Sequence, residues 1–167
     1  MGLVPSPSQT SGPMYGFALI FEGCERAVDP KSPGAILLEG RVLDGNGEPV
    51  AYPDAIVEVW HGEQWARGRT DADGVYRLVV AKPEASELDG IGTEAPHLNV
   101  DVFARGLLRA ARTRVYFPEE EPANAADPVL QLVPEERRRT LVGRGEDGTL
   151  RFDIRLQGED ETVFFDR

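Results

Sequence analysis

Ala95-Pro-His-Leu-Asn-Val-Asp-Val-Phe-Ala-Arg-Gly106 is the stretch whose reading decides the fold. At the two-residue side-chain period of a strand, Leu98, Val100, Val102 and Ala104 fall on one face, and His97, Asn99, Asp101, Phe103 and Arg105 on the other. The first face is built to enter a core. The second either carries chemistry or is the solvated side of an ordinary half-buried strand.

Outward from this stretch, Leu107 to Phe117 reads as further strand, with Arg109, Arg112 and Arg114 joining Arg105 in a basic island. Such an island meets an anion, or it pairs at little gain with Glu119, Glu120 and Glu121. On the other side, Lys82 to Glu94 reads as a loop through Pro83, Gly90 and Gly92. Earlier strands are expected over Ile36 to Leu43, ending at the turn Asp44-Gly-Asn-Gly47, and over Ala55 to Trp60 and Val75 to Val80. Asp71-Ala-Asp-Gly74 reads as a turn, because the remaining ligand spacing of a calcium loop is missing. Pro134 to Val142 is the one good helix candidate, with proline first, acids in the opening turn, arginines after them and Gly143 as its stop. From Gly148 to Gln157 the chain alternates, with Leu150, Phe152, Ile154 and Leu156 on one side. Thr162 to Phe165 is too apolar to hang in water and is expected to pack on the domain or on a partner.

Short strands separated by Gly and Asp turns, with a single short helix, predict an all-β fold, an antiparallel β-sandwich. Pro5, Pro7 and Pro13 make residues 1–15 an extended N-terminal arm, leaving 16–167 as one β-sandwich domain. The 167 residues are 41% hydrophobic and 28% charged, enough for a real core. A net charge of -11 argues against general affinity for nucleic acid or an anionic membrane. The one cysteine, Cys24, forms no internal disulfide and favours a cytoplasmic setting. No apolar run approaches the roughly 18 residues of a membrane span.

The sequence has no nucleophile elbow, phosphate-binding glycine loop, HExxH or Cys-x-x-Cys. His61 and His97 are the whole imidazole supply, and His61 reads as a structural hydrogen-bonder.

A set of segments taken together resembles the intradiol ring-cleavage dioxygenase family, and within it the alpha-type chains of protocatechuate-cleaving enzymes. They are Pro7 to Pro13, Gly40 to Gly47, Val57 to Trp60, Ala95 to Gly106, Thr113 to Phe117, Pro128 to Val142 and Arg151 to Asp166. The resemblance implies the intradiol dioxygenase type of sandwich, a cytoplasmic heteromer of alpha-beta units, and Fe(III) held by two tyrosines and a His-x-His pair in the beta subunit. In this chain the pair has become His97-Leu98-Asn99, and Ala81 to Glu94, where a ligand tyrosine would lie, contains none. Asn is a feeble ligand for ferric iron, so His97 and Asn99 read as vestigial and this chain as a non-iron subunit without catalytic residues of its own.

By the same resemblance, Thr10, Gly12 and Pro13 of the arm, together with Arg105, approach the partner's active site and bind substrate. The reaction implied is cleavage of protocatechuate by O2 to 3-carboxy-cis,cis-muconate, in aromatic catabolism through the β-ketoadipate pathway. Two features depart from the family: the segment between Trp60 and Gly74 is short, and Asp160 stands where the tail has glycine. Two other readings compete with this one, a non-catalytic β-sandwich binding module and a homomeric dioxygenase with an unusual ligand set.

Overall fold

β-Branched and leucine-rich segments bounded by Gly and Asp turns form the framework, seen in a computed structural model that describes residues 9–12 and 14–165. In chain order the elements begin with α1 (Tyr15–Leu19), β1 (Ala35–Leu43), β2 (Ala55–His61), β3 (Gln64–Arg69) and β4 (Val75–Ala81). Next come β5 (Ser86–Leu88), β6 (Gly92–Glu94), β7 (His97–Ala104) and β8 (Ala111–Tyr116). A 3-10 turn (Pro118–Glu120) leads into α2 (Glu121–Ala126), α3 (Pro128–Leu132) and α4 (Glu135–Arg138). Three short strands complete the set: β9 (Arg144–Glu146), β10 (Thr149–Arg151) and β11 (Ile154–Arg155).

Two sheets face each other. In the first, β4 pairs antiparallel with β1, whose other edge takes β10 and then β11, both parallel. The second is antiparallel in the order β3-β2-β7-β8. Leu38, Val42, Leu78 and Val80 from the first sheet interdigitate with Val57, Val59, Leu98, Val100, Val102 and Val115 from the second. This confirms the core face expected of the opening stretch. A second cluster, Ala95, Tyr116, Leu130, Val133 and Leu141, sits where the helical segments meet one end of the second sheet.

Gly40 lets the first sheet close. A Cβ there would lie 1.7 Å from the carbonyl oxygen of Phe152, so the residue must be glycine for the backbones to approach. That same oxygen accepts a 2.6 Å hydrogen bond from the buried Tyr76 hydroxyl.

Several expectations change in detail. The sandwich carries four short α-helices among the described residues where one was expected. The Pro134 to Val142 segment is helical only over Glu135–Arg138. Beyond it, the backbone of Leu141 and Gly143 hydrogen-bonds Tyr116, and this extended pairing ends the helix early. Strand does not run on from Leu107, because Gly106 at φ +93 turns the chain and β8 begins at Ala111. The Lys82 to Glu94 loop contains the small hairpin β5-β6. The first sheet is mixed, because its added strands run alongside β1 in the same direction. Phe164 packs on the main core, and Val163 and Phe165 on the second cluster, which puts the apolar tail on its own domain.

The arginine island is divided among other acids. Arg112 grips Asp101 through two bonds of 2.8 and 2.9 Å, Arg114 pairs with Glu94 at 2.7 Å, and Glu119 and Glu120 are taken by Lys82. Among the described residues no helix is long and apolar enough to cross a membrane.

Candidate functional site

β7 delivers its two ends to different surroundings. The register that sets Ala55 against Ala104 places Asp54 beside Arg105, just past the paired residues. The Arg105 amide donates to the Asp54 carbonyl at 2.9 Å, and its side-chain Nε lies 3.2 Å from Asp54 Oδ1. Thr10 Oγ1 accepts from the Gly106 amide at 2.7 Å, across 96 positions of sequence. Tyr15, whose own amide donates to the Gly12 carbonyl, donates its hydroxyl to the Phe103 carbonyl at 3.1 Å. Burial first, and the Asp54 carboxylate second, push the Tyr15 phenol up to about 12, so it remains a neutral donor at neutral pH.

Thr10, Gly12 and Arg105 are thus gathered at one end of the second sheet; Pro13 lies outside the described residues. The Arg105 side chain is 58% exposed, and a Cβ on Gly12 would meet nothing within 4 Å. Beside them Gln9, Ser11, Phe103, Leu107 and Arg109 line a cleft of about 170 Å³.

At the opposite end His97 is buried, contrary to a solvated polar face. Its Nδ1 lies 2.8 Å from the Ala95 carbonyl, as expected of a structural histidine. The His61 ring meets it edge-on with centroids 5.1 Å apart. The reading of His61 as a hydrogen-bonder is corrected for one nitrogen: Nδ1 is buried and has no partner among the described residues. Tyr116 lies across from His97, and its hydroxyl bonds Asp127 Oδ1 at 3.2 Å and Arg114 Nη1 at 3.3 Å. Burial, as the largest cause, raises the Tyr116 phenol far from ionisation. His97 is pushed the other way, toward its neutral form, by burial and then by the Arg114 guanidinium. The Asn99 amide is turned onto the Trp60 carbonyl at 3.4 Å.

These groups do not suit a ferric ion. Both histidines of the chain lie here, yet the nearby carboxylates are already engaged, Glu94 by Arg114 and Asp127 by the Tyr116 hydroxyl and backbone amides. Among the described residues no three His, Cys, Asp or Glu side chains converge as a metal site, and the Asn99 amide is a feeble ligand for a hard trivalent cation. Geometry separates this end from Arg105 as well. Eight strand residues at roughly 3.3 Å each put the His97 and Arg105 positions about 26 Å apart along β7. No ligand the size of a single aromatic ring spans them.

Asp54, Tyr15 and the Arg114–Glu94 pair are absent from a reading of the sequence alone. The partner of Arg105 follows once β2 and β7 are registered, but no local motif marks Asp54.

No protein-family model matches the chain. It is 41% identical over 199 aligned positions, covering 98% of each chain, to the protocatechuate 3,4-dioxygenase alpha chain of Burkholderia cepacia. To the alpha chain of Pseudomonas putida it is 38% identical, over 98% of this chain and 97% of that one. The beta chain of B. cepacia is 32% identical over 76% of this chain and 66% of its own length. Among solved structures, catechol 1,2-dioxygenase from Pseudomonas arvilla C-1 superposes with a TM-score of 0.57 at 25% identity, covering 80% of this chain and 55% of that one. Hydroxyquinol 1,2-dioxygenase from P. putida DLL-E4 shares the fold with a TM-score of 0.62 at 18% identity, over 92% of this chain and 68% of that one. With its sandwich, its His-x-Asn run and near full-length similarity to two alpha chains, the chain belongs to the protocatechuate 3,4-dioxygenase alpha-chain family of intradiol ring-cleavage dioxygenases.

Proposed function

We propose that this chain is the non-iron subunit of a heteromeric protocatechuate 3,4-dioxygenase, lending substrate-binding groups to an active site whose Fe(III) is held by a related beta subunit. The observation that carries this reading is the gathering of Thr10, Gly12 and Arg105 at one end of β7, about 26 Å along the strand from the vestigial His97 position. An arginine so placed serves a site outside its own fold. Thr10, bound to the Gly106 amide, would reach that site beside Arg105; residues 1–8 and Pro13 of the arm lie outside the described residues, and its last residue, Tyr15, opens α1.

Protocatechuate carries a carboxylate, and a guanidinium fork offers it charge-assisted hydrogen bonds. The overall reaction adds both atoms of O2 to the ring diol and breaks the bond between the hydroxylated carbons, giving 3-carboxy-cis,cis-muconate with no other reactant. In this division of labour the beta subunit provides the oxygen chemistry, and the present chain binds and orients the substrate.

The test is co-expression with a beta-type chain carrying the two tyrosines and the His-x-His pair, followed by iron analysis and O2 uptake with protocatechuate. Arg105→Ala in the assembled enzyme is expected to cost about 1.5 to 3 kcal/mol of substrate binding, read as a raised KM. A KM unchanged within about threefold, well under 1.4 kcal/mol, overturns the role of Arg105. Iron near one per chain in this subunit purified alone overturns the assignment of iron to the partner.

A further inference from the structure

We propose that Asp54 is a positioning residue for carboxylate recognition, holding the Nε edge of Arg105 so that the terminal nitrogens of the guanidinium remain available to substrate. This deepens the proposed function and rests on the reading of Arg105 given there. Asp54 anchors Arg105 twice, at the main chain through its carbonyl at 2.9 Å and at the side chain through Oδ1, 3.2 Å from Nε. No described residue accepts a hydrogen bond from either Nη of Arg105. A guanidinium bound at one edge keeps its opposite edge, with two parallel N–H groups, for a second planar anion.

Asp54 itself is held. Its carbonyl is bonded to the Arg105 amide and its own amide donates to the Ala51 carbonyl at 2.8 Å, so the carboxylate projects from a fixed backbone. Tyr15 completes the frame by fixing the Phe103 carbonyl on the same strand end.

The physics sets two effects against each other. An arginine on an exposed surface loses much side-chain freedom when it binds an anion, and fixing it beforehand removes part of that loss. The same Asp54 charge opposes an incoming carboxylate, but solvent screens this repulsion at a side chain that is 37% exposed. The same screening weakens the ion pair itself, so the expected effect is modest and its sign is what the substrate comparison reads. The side-chain contact is an ion pair at 3.2 Å rather than a directed hydrogen bond, so the Asp54 charge does the holding, and positioning is told apart from charge repulsion by the sign of the effect on carboxylate binding.

The experiment uses the assembled complex with its beta-type partner and compares kcat/KM for protocatechuate with that for catechol, which lacks the carboxylate. Asp54→Ala is expected to lower the protocatechuate-to-catechol ratio three- to tenfold through KM, with kcat for protocatechuate within twofold of the parent. Asp54→Asn, which keeps the shape of the side chain and loses the charge of the ion pair, is expected to lower the ratio as Asp54→Ala does. The backbone anchor survives in both variants, and Asp54→Ser serves as a second small replacement should the alanine variant fail to assemble.

Equal losses for the two substrates, or an asparagine variant whose ratio holds at the parent value or rises, overturn the positioning role. An unchanged ratio in Asp54→Ala beside a collapsed ratio in Arg105→Ala does so too. Should Arg105→Ala itself leave the ratio unchanged, the reading of Arg105 falls first and the role of Asp54 falls with it.

Discussion

His97 and Tyr116 stand directly opposite each other on paired strands, ring centroids 5.4 Å apart and planes tilted by 37°. Both are buried, and both are held in their neutral forms by that burial. The Tyr116 hydroxyl is turned toward Asp127 and Arg114, and the hydrogen bond of His97 Nδ1 goes to the backbone. This end of the sheet is thus organised by hydrogen bonds and apolar packing.

Asp127 is the residue on which that end depends most. Its Oδ1 caps α3 by accepting from the Val129 and Leu130 amides at 2.9 and 2.8 Å and also takes the Tyr116 hydroxyl, while Oδ2 takes the Ala95 amide at 2.8 Å. Asp127→Ala removes the cap and leaves buried donors unpaired, an expected loss of about 3 kcal/mol. Urea denaturation of parent and variant checks it, and Asp127→Asn should fall between them.

His97 makes stability depend on pH. Its folded-state pKa lies below the ordinary 6.5, so the unfolded chain binds more protons than the folded one as pH drops. The stabilisation is complete above about 6.5 and is lost as pH falls through the depressed folded value. His97→Gln should flatten this part of the stability profile in a melting series from about pH 5 to 7.5. In the complex with the beta-type chain the same substitution is expected to leave bound iron unchanged, measured by elemental analysis.

Gly40→Ala tests the closure of the first sheet. Its Cβ would collide with the backbone at Phe152, which cannot swing aside as a flexible side chain does. A cost of about 3 kcal/mol or more is expected, at the upper end for overpacking. Thermal melting should show a lowered midpoint, and amide exchange on β10 and β11 should accelerate.

Long alternating segments were legible in the sequence because one physical quantity, apolar burial at period two, sets them. Leu98, Val100 and Val102 entered the core as read, and so did Leu150, Phe152 and Ile154. β3 escaped notice because Gln64-Trp-Ala-Arg-Gly-Arg69 carries little β-branched signal and is held by cross-strand pairing, Trp60 facing Trp65 among its partners. The helices at Glu121 and Pro128 are one or two turns long, too short for a periodic pattern to emerge. For the proposed site, the family resemblance named Thr10, Gly12 and Arg105 as candidates. Asp54 could not, since its role exists only once β2 and β7 are aligned. The buried partners of Arg112 and Arg114 were missed for a related reason: charge runs reveal sign but not which strand lies alongside.

The parallel edge of β1 has a consequence for how the chain is made. Leu38 waits for Leu150, and the Arg41 amide for the Asp153 carboxylate, 112 positions later. During synthesis that flank of an early strand emerges from the ribosome long before the residues that will cover it. Until then it is open to pairing with other nascent chains, and such distant contacts also form slowly. Low yields on overexpression would then trace to this unguarded interval more than to any weakness of the finished fold, and slowing translation or lowering temperature is the remedy it implies.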